Sequence, residues 1–253
     1  DISDKETVDE CMKGVDWVFH KAAVASVPKT VNDPVGSSKV NYQGTLYLLE
    51  AARNNNVKRF VFASSAALYG DEPTLPKVET MCPVTLSPYA VDKLASEFAC
   101  GMYTKLYGLD TVCLRYFNVY GPRQDPSSPY SGVISIFTDK LKNNQTPTIF
   151  GDGEQTRDFV FVSDVVEANM KAATTEAGTG QFYNVATGSK ITLNELLKIL
   201  SGIYDTEFDV NYGEERKGDI KESYAVIDKA ESLLDWHPKI ELNDGLKLLC
   251  ESL

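Results

Sequence analysis

Short apolar runs alternate with amphipathic stretches along this chain, and that alternation restricts the fold more than any other feature. Residues 15–19, 59–63, 111–116 and 182–185 are rich in valine and aromatic side chains. They read as buried strands, because a strand covered on both faces shows a nearly continuous apolar run. Between them, residues 32–53, 88–107 and 163–173 carry apolar side chains at helical spacing, the last with Ser163 or Asp164 as its cap. Strand, helix and strand in succession imply an α/β protein with a doubly wound parallel sheet.

Two helix starts are marked locally. Ser87 before Pro88 places an N-cap ahead of a proline at the first helical position, and Thr192 with Glu195 forms a capping-box pattern that opens a helix over 193–204. Residues 209–219 are polar, and 228–253 read as short helical pieces around His237 and Pro238, which together form a small C-terminal lobe. A dinucleotide-binding sheet normally opens with a strand, a glycine-rich turn and a helix whose N-terminus holds the pyrophosphate. Nothing before Val15 has that pattern. The expectation is an N-terminally incomplete, Rossmann-like fold whose first strands and helices lie outside this sequence.

Composition removes several classes of function. With 43% hydrophobic residues in 253, the chain can bury a sizeable core. No apolar run reaches the roughly 20 residues needed to cross a bilayer, so no membrane partner is expected. Five scattered cysteines with no C-x-x-C spacing suggest neither a disulfide framework nor zinc, and fit a reducing cytoplasm. His20 and His237 alone cannot assemble a multi-histidine site, so no metal is expected, and each reads as a packed or surface residue. A net charge of −11 repels polyphosphate and argues against nucleic acid. A small anionic ligand would have to draw on the arginines Arg53, Arg59, Arg115, Arg123, Arg157 and Arg216.

The segment from Phe62 to Gly70 contains Ser64 and Ser65 where an apolar strand ends. Ligand sites of doubly wound sheets lie at such carboxyl ends, although a serine there can equally serve only to cap the next turn. Tyr89 and Lys93 are four residues apart and hence share one helical face. The spacing by itself is weak, and its position in the first turns of a capped helix strengthens it. A phenol of pKa near 10 is a poor base at neutral pH, but a neighbouring lysine cation and a cationic nicotinamide would favour the phenolate. A lowering of about three units corresponds to about 4 kcal/mol.

Strand-end serines followed by Tyr89-x-x-x-Lys93 resemble the catalytic set of the extended short-chain dehydrogenase/reductases, in particular the nucleotide-sugar epimerases. The resemblance runs along nearly the whole chain. It includes His20-Lys-Ala-Ala23, Val40-Asn-Tyr-Gln-Gly-Thr45, Leu114-Arg-Tyr-Phe-Asn-Val-Tyr-Gly-Pro-Arg123, Gly151-Asp-Gly153, Arg157-Asp158-Phe159 and Arg216-Lys-Gly-Asp219. It implies NAD as cofactor, a UDP-hexose as substrate, and inversion of the sugar's C4 through a 4-keto intermediate. Ser65 would hydrogen-bond the reacting oxygen, Tyr89 would act as base and acid, and Lys93 would tune Tyr89 and hold the nicotinamide ribose. Asp1 and Ile2 would contact the adenine end. Ala22, Ala23, Asn41, Ala63 and Tyr116 would line NAD. Asn118, Arg157 and Arg216 would hold the diphosphate and sugar, Phe150 would lie by the uracil, Asp219 would meet its ribose, and Ser223 would gate the sugar pocket. A small gate residue goes with acceptance of N-acetylated sugars.

The resemblance also divides the chain into an NAD-binding part, 1–116 and 158–187, and a nucleotide-sugar lobe, 117–157 and 188–253. It further implies a homodimer built as a four-helix bundle from 32–53 and 88–107, with Tyr47, Leu48, Tyr103 and Leu106 available for a second helix face. Three alternatives stand beside this reading. A 4,6-dehydratase would need an acid where this chain has Ala66 and Ala67. A UDP-glucuronate 4-epimerase is separated less well. A non-catalytic, NAD-binding scaffold on the same fold would not require Ser65, Tyr89 and Lys93 together.

Overall fold

The structure is a computed structural model and describes residues 1–124, 132–215 and 220–253. Its centre is a four-stranded sheet in the order Trp17–His20, Arg59–Ser65, Thr111–Tyr116, Gln181–Val185, every neighbouring pair parallel. Successive side chains of a strand point to opposite faces, and here both faces are covered. Phe60, Phe62 and Cys113 enter a core with Leu49, Ala52 and Cys100 of the helices Gly44–Asn54 and Pro88–Tyr107. Val61, Val112 and Leu114 enter a second core with Ala168 and Ala172 of the helix Val162–Thr174 and with Trp236. Phe60, Val61 and Phe62 are fully buried, and each such side chain contributes about 1.5–3 kcal/mol by leaving water. This two-sided burial is why the strands read as unbroken apolar runs.

A third core belongs to the C-terminal lobe, where Ile134, Phe137, Ile149, Leu196, Leu197 and Leu246 pack together. Short strands frame it: Thr148–Phe150 pairs with Asn211–Gly213, and Thr156–Arg157 lies between Glu222–Ser223 and Ile191–Thr192. Asn118–Tyr120 pairs with Phe159–Phe161 and carries the chain from the main sheet into this lobe.

The capped helices form as their sequences imply. Ser87 accepts from the Ala90 N–H with Pro88 in the first turn, Gly108 closes the other end at φ +71, and Thr192 and Glu195 make the reciprocal capping box. Two helical expectations are corrected. Residues 32–53 are not one helix but Val27–Asn32, Pro34–Ser38, a π-helical turn Lys39–Gln43 and Gly44–Asn54. Asp33, at φ −136 and ψ 77, breaks the first from the second, since the residue before a proline is pushed out of the helical region. The helix expected at 163–173 starts at Val162 with Phe161 as its N-cap and no side-chain cap, so neither Ser163 nor Asp164 serves. Among the described residues no helix is long and apolar enough to cross a membrane.

Candidate active site

The carboxyl ends of the central strands open onto a cavity of about 820 Å³ whose far wall is the C-terminal lobe. Ser65, Tyr89 and Tyr116 line it from the sheet side, and Asn118, Phe150, Arg157 and Ser223 line it from the lobe side. Residues far apart in sequence, from Ser65 to Ser223, thus meet in one place.

Ser65 ends the second strand and lies beside Tyr116 of the third in register. Its hydroxyl accepts from the Ala67 N–H at 3.1 Å, which starts the tight turn Ala66–Tyr69. That turn must end in glycine. Gly70 sits at φ +54, and a Cβ there would lie 1.7 Å from the Val84 carbonyl oxygen.

Tyr89 stands in the first turn of the capped helix and shares a side-chain hydrogen bond with Ser65. Burial raises its pKa above the usual phenol value, and the Ser65 contact offsets part of that rise. The Lys93 ammonium lies 5.8 Å from the Tyr89 ring centroid and 4.7 Å from that of Phe62, and it donates to the Ala63 carbonyl at 2.6 Å. Burial also drives Lys93 itself down to about 8.

The loop after the first strand is shaped by Asn41. Its side-chain oxygen accepts from the Val24 N–H at 2.7 Å, and its amide donates to the Val24 carbonyl at 3.2 Å. Asn41 is buried in the π-helical turn and acts here on backbone, while Ala22 is exposed and Ala23 partly so. Asp1 and Ile2 do not line the cavity. Asp1 is exposed and accepts from Ser3, and Ile2 packs against Gly44, where a Cβ would come within 3.0 Å of it. Asn118 donates to the Asp158 carbonyl at 3.1 Å, Phe150 is 37% exposed, and Ser223 is the register partner of Arg157. Arg216 and Asp219 lie outside the described residues.

Three constellations escaped the sequence reading. Lys21 donates to the Tyr116 hydroxyl and to Asn169, and Tyr116 donates to Asn169 at 2.8 Å. The one available signal was that Lys21 directly follows a strand end. Asp158 is fully buried, and its carboxylate accepts from Thr187 N and Oγ1 (2.8 and 2.7 Å) and Gly188 N (3.1 Å). Burial outweighs these donors and raises it to about 6. Arg115 makes a bidentate pair with Glu97 at 2.9 and 2.8 Å, both side chains 2% exposed. No local pattern announces either group.

The family profile described as Epimerase, the NAD dependent epimerase/dehydratase family, matches residues 1–186. A putative UDP-glucose 4-epimerase of Methanocaldococcus jannaschii is 41% identical over 249 residues, 98% of this chain and 80% of that protein. The crystal structure of the Thermotoga maritima UDP-glucose 4-epimerase with UDP-glucose superposes with a TM-score of 0.95 at 40% identity, covering 99% of this chain and 82% of that one. The UDP-N-acetylglucosamine 4-epimerase of Methanobrevibacter ruminantium, in complex with UDP-N-acetylmuramic acid, superposes with a TM-score of 0.93 at 39% identity over 97% of this chain and 78% of that one.

Proposed function

The chain belongs to the NAD dependent epimerase/dehydratase family, and from that membership we propose that it is an NAD-dependent UDP-sugar 4-epimerase acting on UDP-glucose and UDP-galactose and on their N-acetylated counterparts. The observation that carries the reading is the shared cavity in which Ser65 and Tyr89 face Asn118, Arg157 and Ser223.

The residues present fit the cofactor. Lys93 places one of its three donors on Ala63, which leaves two for the vicinal hydroxyls of a ribose. Ala22 and Ala23 offer small side chains over which a ring can lie close, and Tyr116 borders the same space. Bound there, NAD would supply a hydride acceptor and donor for the sugar's C4 and a cationic ring that would favour the phenolate. Tyr89 removes the 4-hydroxyl proton and later gives it back, Ser65 hydrogen-bonds the reacting oxygen, and Lys93 carries positive charge beside the phenol. The 4-keto sugar turns over inside the cavity while Asn118 and Arg157 keep hold of the diphosphate. Phe150 lies by the uracil, and Ser223, a small residue, leaves room for an acetamido group. In this reading 1–116 and 158–187 bind the cofactor, and 117–157 and 188–253 bind the nucleotide sugar.

Elimination of water to a 4-keto-6-deoxy sugar lacks its acid, because Ala66 and Ala67 occupy the wall beside Ser65. We read the protein as cytoplasmic, which its five free cysteines support.

A homodimer is also part of the proposal. Val91, Phe98, Met102 and Leu106 are 52%, 65%, 40% and 67% exposed, and their spacings of seven, four and four put them on one face of Pro88–Tyr107. Val31 and Val35, 56% and 81% exposed, extend that patch from the neighbouring helices. Of the residues the sequence suggested for this face, Leu106 is on it, whereas Tyr103 is buried and donates to Glu50 at 3.0 Å, and Tyr47 and Leu48 pack against the core. The activity is tested by incubating the holoenzyme with UDP-glucose, UDP-N-acetylglucosamine and UDP-glucuronate in parallel and identifying the products. Failure to convert either of the first two would refute the reading.

A further inference from the structure

A continuous line of buried polar contacts links the helix that bears Tyr89 and Lys93 to the strand that bears Ser223, and it passes through one hydroxyl. Glu97, one helical turn beyond Lys93, holds Arg115 in a bidentate pair. The remaining Arg115 nitrogen donates to the Tyr69 hydroxyl at 3.0 Å, and that hydroxyl donates onward to the Asn184 side-chain oxygen at 2.6 Å. The Asn184 amide in turn donates to the carbonyls of Lys77 and Val226, both at 3.3 Å. Lys77 itself pairs with the same segment through Tyr224 and Val226, immediately after Ser223. Glu79 accepts from the Asn184 N–H at 2.8 Å and closes the group. Arg115, Tyr69 and Asn184 are at most 1% exposed.

Tyr69 has a particular place in this line, because it is the last residue of the turn that Ser65 caps. The Ser65 hydroxyl has two duties. It accepts from Ala67 inside the turn, and it meets Tyr89 across the cavity. Its direction therefore depends on how the turn is held. The front of the turn is held by strand pairing; the back is held by backbone bonds from Val84 to the Leu68 carbonyl and from Glu72 to the Tyr69 carbonyl, and by the Tyr69 hydroxyl, whose ring also lies under the Arg115 guanidinium at 5.1 Å and near Phe117. Tyr69 itself does not line the cavity.

We propose that Tyr69 is a positioning residue of the epimerisation, its hydroxyl locking the Ser65 turn to the catalytic helix through Arg115 and to the Ser223 strand through Asn184. The inference rests on the epimerase reading, and the experiment separates the two. Steady-state turnover of UDP-glucose is measured at 25 °C with the holoenzyme of wild type, Tyr69→Phe, Ser65→Ala and the double variant, alongside their melting temperatures. Tyr69→Phe keeps the ring and removes the hydroxyl, so kcat is expected to fall about tenfold with KM changed less than threefold. In the Ser65→Ala background the same substitution is expected to change kcat less than twofold, because its effect travels through Ser65. A merely structural hydroxyl would lower the melting temperature while leaving kcat intact, or would give losses that multiply in the double variant, and either result overturns the proposal. If Tyr69→Phe does not fold, Asn184→Ala removes the other partner of the bond, leaves the Arg115–Glu97 pair in place and carries the same expectations. A wild type that epimerises nothing refutes the functional reading, whereas an active wild type with an equally active Tyr69→Phe refutes this inference alone.

Discussion

His20 ends the first central strand with 4% of its surface exposed, between the rings of Phe60 and Phe62. Its Nε2 lies 2.8 Å from the Thr45 hydroxyl, which itself donates to the Asn41 carbonyl, so the imidazole donates to Thr45 in its neutral form. Burial, and then the nearby Lys93 and Lys21 charges, lower its pKa to about 3. A depressed histidine stabilises the fold above its unfolded value of about 6.5, and that contribution is lost as pH falls. Between pH 8 and pH 5 the unfolded chain takes up the proton while the folded chain does not, which removes about 2 kcal/mol. For a chain of this length that corresponds to about 4–8 °C in melting temperature. Asp158 works in the opposite direction, because its folded value is raised to about 6 and its charged form destabilises as pH rises. Lys93, lowered to about 8, and Lys21, lowered to about 7, titrate in the same window, so the raw pH dependence mixes all four groups and only a comparison of variants isolates His20. The assay is thermal denaturation of wild type and His20→Gln at pH 8 and pH 5. The introduced carboxamide cannot titrate but can still donate to Thr45, so the variant should start lower and lose about 2 kcal/mol less on acidification. Equal losses in the two proteins, or a His20 resonance titrating near 6.5, would refute the argument.

Tyr89→Phe should lower kcat at least about a hundredfold with the fold intact by circular dichroism, as loss of a general acid–base usually does; retention of a tenth of the rate would contradict the assignment. Ser223→Tyr should reduce kcat/KM for UDP-N-acetylglucosamine about tenfold or more relative to UDP-glucose, since a packed pocket opens only with strain of about 1–3 kcal/mol. Equal handling of both sugars by the variant would show that Ser223 is not the gate. Phe98→Glu combined with Leu106→Glu should halve the mass seen by light scattering at micromolar concentration, and a wild type that is already monomeric would remove the dimer.

How far the fold could be read from the chain depended on whether its cause was local. The central strands were legible because burial on both faces writes itself into consecutive residues, as in Phe60, Val61 and Phe62. The caps at Ser87 and Thr192 were legible because their partners lie three residues away. The break at Asp33 had a local cause too, the following Pro34, and helical periodicity on either side masked it. The π-helical turn at Lys39–Gln43 had none, since Asn41 reaches 17 residues back to Val24 and Ser96 reaches 55 residues to the Asn41 carbonyl.

The candidate site divides along the same line, between the identity of a group and its environment. Tyr89, Lys93 and Ser65 could be picked out because helical spacing and a strand end place them, and the cavity indeed borders Ser65 and Tyr89. What those groups do to one another could not be read from spacing. Helical spacing puts Lys93 beside Tyr89, but it does not show that burial raises Tyr89 and lowers Lys93. Desolvation is set by everything that covers a group, and Lys93 is buried at 4% exposure with the Phe62 ring against its ammonium. Burial thus acts on both members of the pair in the direction that favours their neutral forms. Arg115 shows the opposite outcome at 2% exposure, its pKa raised against the effect of burial because Glu97 faces it. Each supplies the other's counter-charge with two hydrogen bonds, and the Tyr69 hydroxyl takes a third.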